Sequence, residues 1–325
     1  MEFSQIPVLD VSAMFGTGSG ARAALAADFR AAYGQTGFAY IVNHGIDPAL
    51  VEAVFAASAQ FHALPRAEKM KIALDANHRG FIPINTSTDV NSKLAEVKRP
   101  NQSESFMMMR EDGPDAPEVQ SGDYLAGPNQ WPELPGFRED VTAYHDAMAD
   151  LGRKLMQVAL EAVGASPTAL DDAFAKPTTW LRLLHYPPVP RDAAGDLYGS
   201  APHTDFGCLT ILAQDDVGGL QVQTPAGEWV DAPKRPGSFV VNIGDMLHRW
   251  SNGLLKSTPH RVINRTGKER YSCPFFFDPN VATQIAPLPA TVPDGQAPRF
   301  EPIHFGAFLR SELEAGYEAH MTANP

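Results

Sequence analysis

Cysteine is nearly absent from this chain. Its 325 residues include only Cys208 and Cys273, too few for a disulfide framework and suited to a reducing compartment such as the cytoplasm. Basic charge is scarce as well: 26 Lys and Arg stand against 38 Asp and Glu, a net charge of −12. A phosphate backbone or an anionic bilayer calls for a basic face, so neither nucleic acid nor membrane is expected as a partner. No run approaches the ~18 apolar residues of a membrane span. The opening "MEFSQIPVLD" has neither the basic nor the apolar region of a secretory leader, so none is expected. Internal repeats, heptads and charge blocks are missing too, and nothing in the pattern speaks to an oligomeric state.

Proline, by contrast, is plentiful, with 28 residues spread largely between short apolar runs. That spacing suits a turn-rich β architecture. Residues 22–33 read as a helix with Leu25, Phe29 and Ala32 on one face, and "GFAYIVNHGI" (37–46) reads as a strand. Helices are expected over 48–62 and 66–74, broken at Pro65. Residues 76–131 are irregular and contain the unusual "SESFMMMRE"; a long helix over about 136–163 follows, closed at Gly164. The period then changes to short strands at 179–186, 208–214, 219–223, 227–232, 238–244, 260–264 and 270–278, before a last helix near 304–318. A parallel sheet would need crossover helices, and the pattern shows none between 179 and 278. The expectation is a mainly β protein with flanking helices, an antiparallel jelly roll or small barrel. Two regions are expected: 1–131, and 132–325, whose long helix, jelly-roll core and last helix pack as one unit.

The stretch "APHTDFGCLTIL" (201–212) places His203 and Asp205 two residues apart where a strand is expected to begin. On a strand, i and i+2 share a face, so both side chains aim at one point. His260, in "STPHRVIN", is the best third ligand. Two imidazoles and one carboxylate on one face of an octahedron leave three positions open, which suits non-haem Fe(II) and O2. The bare H-x-D pair is weak evidence, since isolated pairs of this kind are more often surface or turn residues. Ten residues beyond His260, Arg270 and Ser272 again share a strand face. A guanidinium beside a hydroxyl suits a bidentate grip on a carboxylate; a salt bridge to a protein carboxylate is the structural alternative.

Together, H-x-D at 203–205, His260 and R-x-S at 270–272 resemble the pattern of 2-oxoglutarate- and Fe(II)-dependent dioxygenases of the isopenicillin N synthase-like branch. The likeness extends through "GGLQVQ", Trp229, "GSFVVNIGDMLHRWSNGLLKSTPHRV" and "FFFDP", and to "IPVLDVS", "GFAYIVNHGI" and "FHALPRAEK" near the start. It is faint only over 76–131. The resemblance implies a double-stranded β-helix with Fe(II) on His203, Asp205 and His260, and the distal carboxylate of 2-oxoglutarate on Arg270 and Ser272. Tyr186 matches a family tyrosine that also touches the co-substrate. Many relatives carry asparagine two residues before that tyrosine, where this chain has Leu184. The implied reaction uses O2, turns 2-oxoglutarate into succinate and CO2, and oxidises a small molecule, most often by hydroxylation. Desaturation and ring closure are variants. An oxidase of the same fold that uses no 2-oxoglutarate is the first alternative. It is disfavoured by the absence of a glutamine near the end, the last being Gln296. A non-catalytic jelly-roll binding module is the second.

Other residues have plainer expectations. Asn242 either enters the pocket or is a satisfied core amide. His248 and Trp250 are expected to support the turn that delivers His260. His44 and His185 are expected to be structural, His185 facing away from Tyr186. His62, His78, His145, His304 and His320 have no ligand-spaced partners in the sequence and are expected to be solvated or capping. Phe275 and Phe277 are expected to share the Arg270 face only in part, because Pro274 disturbs the alternation. Phe106 and Met108 are candidate pocket residues, with core packing as the alternative. Lys98, Arg99 and Arg110 are candidate holders of a substrate carboxylate, with ordinary exposed basic residues as the favoured reading.

Overall fold

The computed structural model describes residues 5–87, 94, 99–189 and 197–321, with side chains to 314. Lys98 and the side chain of His320 therefore lie outside the described residues. The elements run β1 (Val8–Asp10), α1 (Ser19–Gln35), β2 (Phe38–Val42), α2 (Pro48–His62), α3 (Arg66–Met70), β3 (Gly80–Ile82), β4 (Glu104–Met109), α4 (Pro117–Ser121) and α5 (Phe137–Ala162). The β-rich part follows as β5 (Thr178–Tyr186), β6 (Ser200–His203), β7 (Leu209–Gln214), β8 (Leu220–Gln223), β9 (Trp229–Asp231) and β10 (Ser238–Ile243). It ends with α6 (Asp245–Trp250), β11 (His260–Val262), β12 (Arg270–Asp278) and α7 (Phe305–Met321).

Local signals account for the main boundaries. Asp47 caps α2 by accepting from the Ala49 N–H, with Pro48 at the first helical position. Gly164, with φ +79°, follows the C-cap of α5, the left-handed position that favours glycine. The helix expected over 66–74 stops at Met70, and residues 71–74 continue as turns with a short bridge to Phe81.

Eight strands form one sheet in the order β1-β2-β10-β7-β12-β5-β4-β3, and four form a second in the order β6-β11-β8-β9. The two sheets make the double-stranded β-helix, mainly β with flanking helices. All the strand pairs between 178 and 278 are antiparallel; β1 and β2, separated by α1, are parallel. Residues before 132 thus extend the large sheet at both ends.

Alternation along the strands divides the interior into two layers. One face of the large sheet packs under α1, α2 and α5, with Leu151, Leu155 and Val158 of α5 among its buried residues. At Gly152 an added Cβ would lie 2.7 Å from the Phe277 ring, so glycine lets α5 approach the sheet. The other face meets the small sheet through Phe38, Tyr40, Leu184, Tyr186, Val222, Val240 and Val262. Among the described residues, no helix is long and apolar enough to cross a membrane.

The register of β12 is unbroken through Pro274 against β7. Phe275 and Phe277 consequently lie opposite Arg270 and Ser272. Phe275 packs on His145 with centroids 5.4 Å apart, and Phe277 stacks on Phe174 at 5.1 Å. Partial sharing of the Arg270 face does not occur. The pocket expectation for Phe106 and Met108 also fails: both are buried under the helices, Phe106 against Phe61, Trp131 and Phe137.

Candidate active site

His203 is the last residue of β6, and His260 is the first of β11, its direct cross-strand partner. Asp205 is not on a strand. It occupies the loop between β6 and β7, correcting the expectation that a strand begins at 203; a strand ends there. The convergence nevertheless forms. Nε2 of His203 and Nε2 of His260 each stand 3.6 Å from Asp205 Oδ1. The two rings lie 4.3 Å apart, with Phe38 edge-on to His260.

The loop that carries Asp205 is fixed by the start of α6. A helix leaves its first N–H groups unsatisfied; here Asp245 N–H donates to Asp205 O (2.8 Å) and Met246 N–H to Gly207 O (2.8 Å). Glycine is needed on both sides. A Cβ at Gly244 would sit 2.4 Å from Gly207 O, and one at Gly207 would sit 1.7 Å from Asp278 Oδ1. Asp278 Oδ1 in turn accepts from Cys208 N–H at 2.7 Å. His248 and Trp250 lie on α6 and support the segment that leads to His260, as expected: His248 Nδ1 bonds the carbonyl of Leu255 on that segment.

The donor set suits a divalent metal. Nδ1 of His203 donates to Ala201 O (2.7 Å) and Nδ1 of His260 to Thr258 O (3.2 Å). Those bonds select the tautomer that turns an Nε2 lone pair toward Asp205. Asp205 Oδ2 accepts from Thr210 Oγ1 and from Asn242 Nδ2 (2.7 Å), so Oδ1 is the oxygen facing both imidazoles. Asn242 is therefore a satisfied amide that orients the carboxylate. Two lone pairs converging on an anionic oxygen repel unless a cation lies among them. In the metal-free protein burial opposes the charge of Asp205, but His260 and His203, when protonated, and the Asn242 bond hold its carboxyl below the usual range.

A second built feature lies on the inner face of β12. Arg270 is fully buried. Its bonds go to Gly218 O (2.7 Å), Gln214 Oε1 (3.3 Å) and Ser272 Oγ (3.2 Å), and its guanidinium lies 4.6 Å from the Tyr186 ring. No ion pair with a protein carboxylate forms among the described residues, which removes the salt-bridge alternative. A buried cation with only neutral partners is costly, and an anionic ligand relieves that cost.

Sequence reasoning missed Arg182. It lies on β5 between Leu184 and Trp180, on the Tyr186 face. Nη2 donates to Ser105 Oγ (3.0 Å), while the buried Nε has no hydrogen-bond partner among the described residues. An arginine in a run of apolar and aromatic residues was the available signal. Arg110 instead pairs with Asp112 at 3.1 Å.

Two histidine expectations need correction. His145 is buried and bonds Thr179 Oγ1 at 2.9 Å. His62 is also buried, beside Glu104 and His185. His44 and His304 do hold local turns, each accepting a backbone N–H, and His185 does face away from Tyr186. Cys208 and Cys273 are buried and free.

Fold and donor set define a jelly-roll, non-haem metal enzyme. Residues 177–279 match the 2OG-Fe(II) oxygenase superfamily, and residues 6–134 match the N-terminal region of non-haem dioxygenases in morphine synthesis. The chain is 36% identical over 320 residues to the 2-oxoglutarate-Fe(II) type oxidoreductase hxnY of Emericella nidulans, covering 96% of this chain and 90% of that one. It is 34% identical to a homoarginine-6-hydroxylase of Glycine max, over 88% and 89% of the two chains. A full-length Neurospora crassa protein, crystallised with alpha-KG and thymine, superposes with a TM-score of 0.84 at 30% identity, over 96% and 97% of the chains. The protein belongs to the 2-oxoglutarate/Fe(II)-dependent oxygenase family, and is an enzyme whose cofactors are Fe(II), 2-oxoglutarate and O2. Its relatives favour that activity over the oxidase alternative.

Proposed function

We propose that His203, Asp205 and His260 hold the Fe(II), that Arg270 and Ser272 grip the distal carboxylate of 2-oxoglutarate, and that Tyr186 lies against it. The observation that carries this reading is the convergence of both Nε2 atoms on Asp205 Oδ1, at 3.6 Å each. Bound there, the metal would supply the redox chemistry that converts 2-oxoglutarate and O2 to succinate and CO2 while oxidising the substrate. The chain's own share is orientation. Ala201 and Thr258 carbonyls aim the imidazoles, and Asn242 and Thr210 aim the carboxylate. Arg270, Ser272 and Gln214 form the polar floor for a diacid. Leu184, in place of the family's frequent asparagine, leaves the keto-acid end with one fewer polar neighbour.

The substrate is a small molecule, and hydroxylation is the outcome we propose for it. Arg182 and Ser105 are its polar anchor, pointing to a substrate with a carboxylate or a carbonyl edge. The Neurospora crassa protein, whose complexes hold thymine and 5-formyluracil, is a relative that binds molecules of this size. The division into 1–131 and 132–325 is part of the same proposal, supported by the separate matches over 6–134 and 177–279. So is a cytoplasmic location, supported by two free buried thiols.

The test is an anaerobic titration of Fe(II)-loaded protein with 2-oxoglutarate, read by its charge-transfer absorption, alongside succinate release from a panel of small carboxylic acids and cyclic amides. Asp205→Ala is expected to abolish the band and turnover, and Arg270→Ala to weaken 2-oxoglutarate binding. Arg182→Leu is expected to abolish substrate-stimulated succinate release while retaining the band. Substantial turnover in Asp205→Ala refutes the triad.

A further inference from the structure

A second cluster of two imidazoles and a carboxylate lies outside the metal centre: His62 from α2, Glu104 from β4 and His185 from β5. It has the composition of a metal site, but a cation of the chain is already present. Lys69 Nζ from α3 donates to both Glu104 oxygens, at 2.8 and 2.9 Å, and to His62 O at 3.2 Å. His185 Nδ1 donates to Glu104 Oε1 at 3.0 Å, and His62 Nδ1 stands 3.3 Å from that oxygen. His62 Nε2 meanwhile bonds the carbonyl of Leu183, in the backbone of β5 itself. Burial opposes the Glu104 charge, yet the bonds from His185 and Lys69 outweigh it and hold the carboxyl well below its usual range.

The cluster's place in the sheet gives it meaning. In the antiparallel pair β5–β12, Arg270 stands opposite Tyr186, and the next pair is Tyr271 opposite His185. Alternation sends Arg270 and Tyr186 inward and sends Tyr271 and His185 outward. The two outward rings stack at 4.9 Å with 20° between planes. Each half of the co-substrate clamp is therefore backed, one peptide away, by a ring of the stacked pair. Glu104 ties that pair to α2 and α3, and Asp215 Oδ2 holds the Tyr271 N–H at 2.5 Å.

We infer that Glu104, with Lys69, His62 and His185, is a positioning cluster for the co-substrate clamp, setting where Arg270 and Tyr186 present themselves to 2-oxoglutarate. The inference rests on the assignment of Arg270 to the co-substrate. Buried ion pairs contribute little net stability against apolar replacements, and fixing geometry is their better attested use. Glu104→Gln removes the charge that compensates Lys69 and weakens the bond to His185, which frees the His185–Tyr271 pair and the strand positions behind the clamp.

The experiment is calorimetric titration of the full chain, first with Mn(II) in place of Fe(II), then with 2-oxoglutarate, together with thermal unfolding. In Glu104→Gln the Kd for 2-oxoglutarate is expected to rise about tenfold, as when a supporting hydrogen bond is removed from a ligand site, with Mn(II) affinity unchanged. Tyr271→Leu, at a partly exposed residue outside the ion cluster, carries the same expectation of weaker 2-oxoglutarate binding and serves if Glu104→Gln does not fold. Arg270→Ala is the reference: unaltered 2-oxoglutarate binding in that variant sinks the clamp assignment and this inference with it. Weakened binding in Arg270→Ala with an unaltered Kd in Glu104→Gln and Tyr271→Leu reduces the cluster to scaffold and overturns the inference alone. A second equivalent of Mn(II) in the parent that Glu104→Gln lacks makes the cluster a metal site and also overturns it.

Discussion

Replacing Asn242 by leucine asks how much the neighbours of Asp205, beyond its loop, contribute to the metal centre. Leucine keeps the volume and the β10 ladder but removes the Nδ2 donor, 2.7 Å from Asp205 Oδ2. Asp205 is 7% exposed, so water has little room to replace that donor. A hydrogen bond to a charged group contributes about 1.5–3 kcal/mol, and the metal-free protein is expected to lose about that much stability near neutral pH. Mn(II) affinity is expected to fall by about 10–100-fold, the usual effect of removing a bond that orients a metal ligand. The pH dependence follows from the lowered carboxyl of Asp205. A lowered folded value stabilises above the ordinary 3.8 and loses that contribution as pH falls through the folded value. Without Asn242 the folded value rises, so the stability deficit is largest near neutrality and shrinks below about pH 4. Calorimetric Mn(II) titration and urea unfolding across pH measure both effects. Unchanged Mn(II) affinity in a folded variant, or a deficit that ignores pH, refutes the reasoning.

Two further outcomes are expected. Gly207→Ala places a Cβ 1.7 Å from the buried Asp278 carboxyl, so the loop two residues after Asp205 must shift; a loss of about 1–3 kcal/mol is expected in thermal unfolding, along with weaker Mn(II) binding, and parent-like values for both contradict the packing. Asp278→Asn keeps an acceptor for Cys208 N–H but removes a titration that burial pushes up to about 7 from 3.8. A raised folded value stabilises below 3.8 and is lost as pH rises through about 7, so the variant's stability relative to the parent should climb between about pH 4 and pH 8; parallel stability curves exclude this.

Much of the β core was legible because period-2 patterning and turn residues recur there at short intervals. The strand expected over 270–278 and the helix expected over 48–62 coincide with β12 and α2. β4 was not legible: "ESFMMM" is buried almost throughout, so it lacks the alternation that marks a half-exposed strand. α6 was hidden because six residues give too little period to separate a helix from a turn. Within the site, spacing in two motifs was enough to nominate the ligand set. It could not nominate Arg182, whose significance depends on which face of β5 looks at the small sheet. The His62, Glu104 and His185 cluster was equally out of reach, because its members come from three elements far apart in the chain.

By itself the chain's order of residues determined most element types, the antiparallel core and the chemistry available at 203, 205, 260, 270 and 272, since these depend on local periodicity and side-chain identity. Tertiary structure alone decided that Asp205 sits in a loop braced by α6, that Pro274 leaves the register intact, and that Phe106 and Met108 face the helices. Those outcomes are set by cross-strand register and by packing between distant segments. A one-residue shift in register would reverse every face, and no local window contains that information.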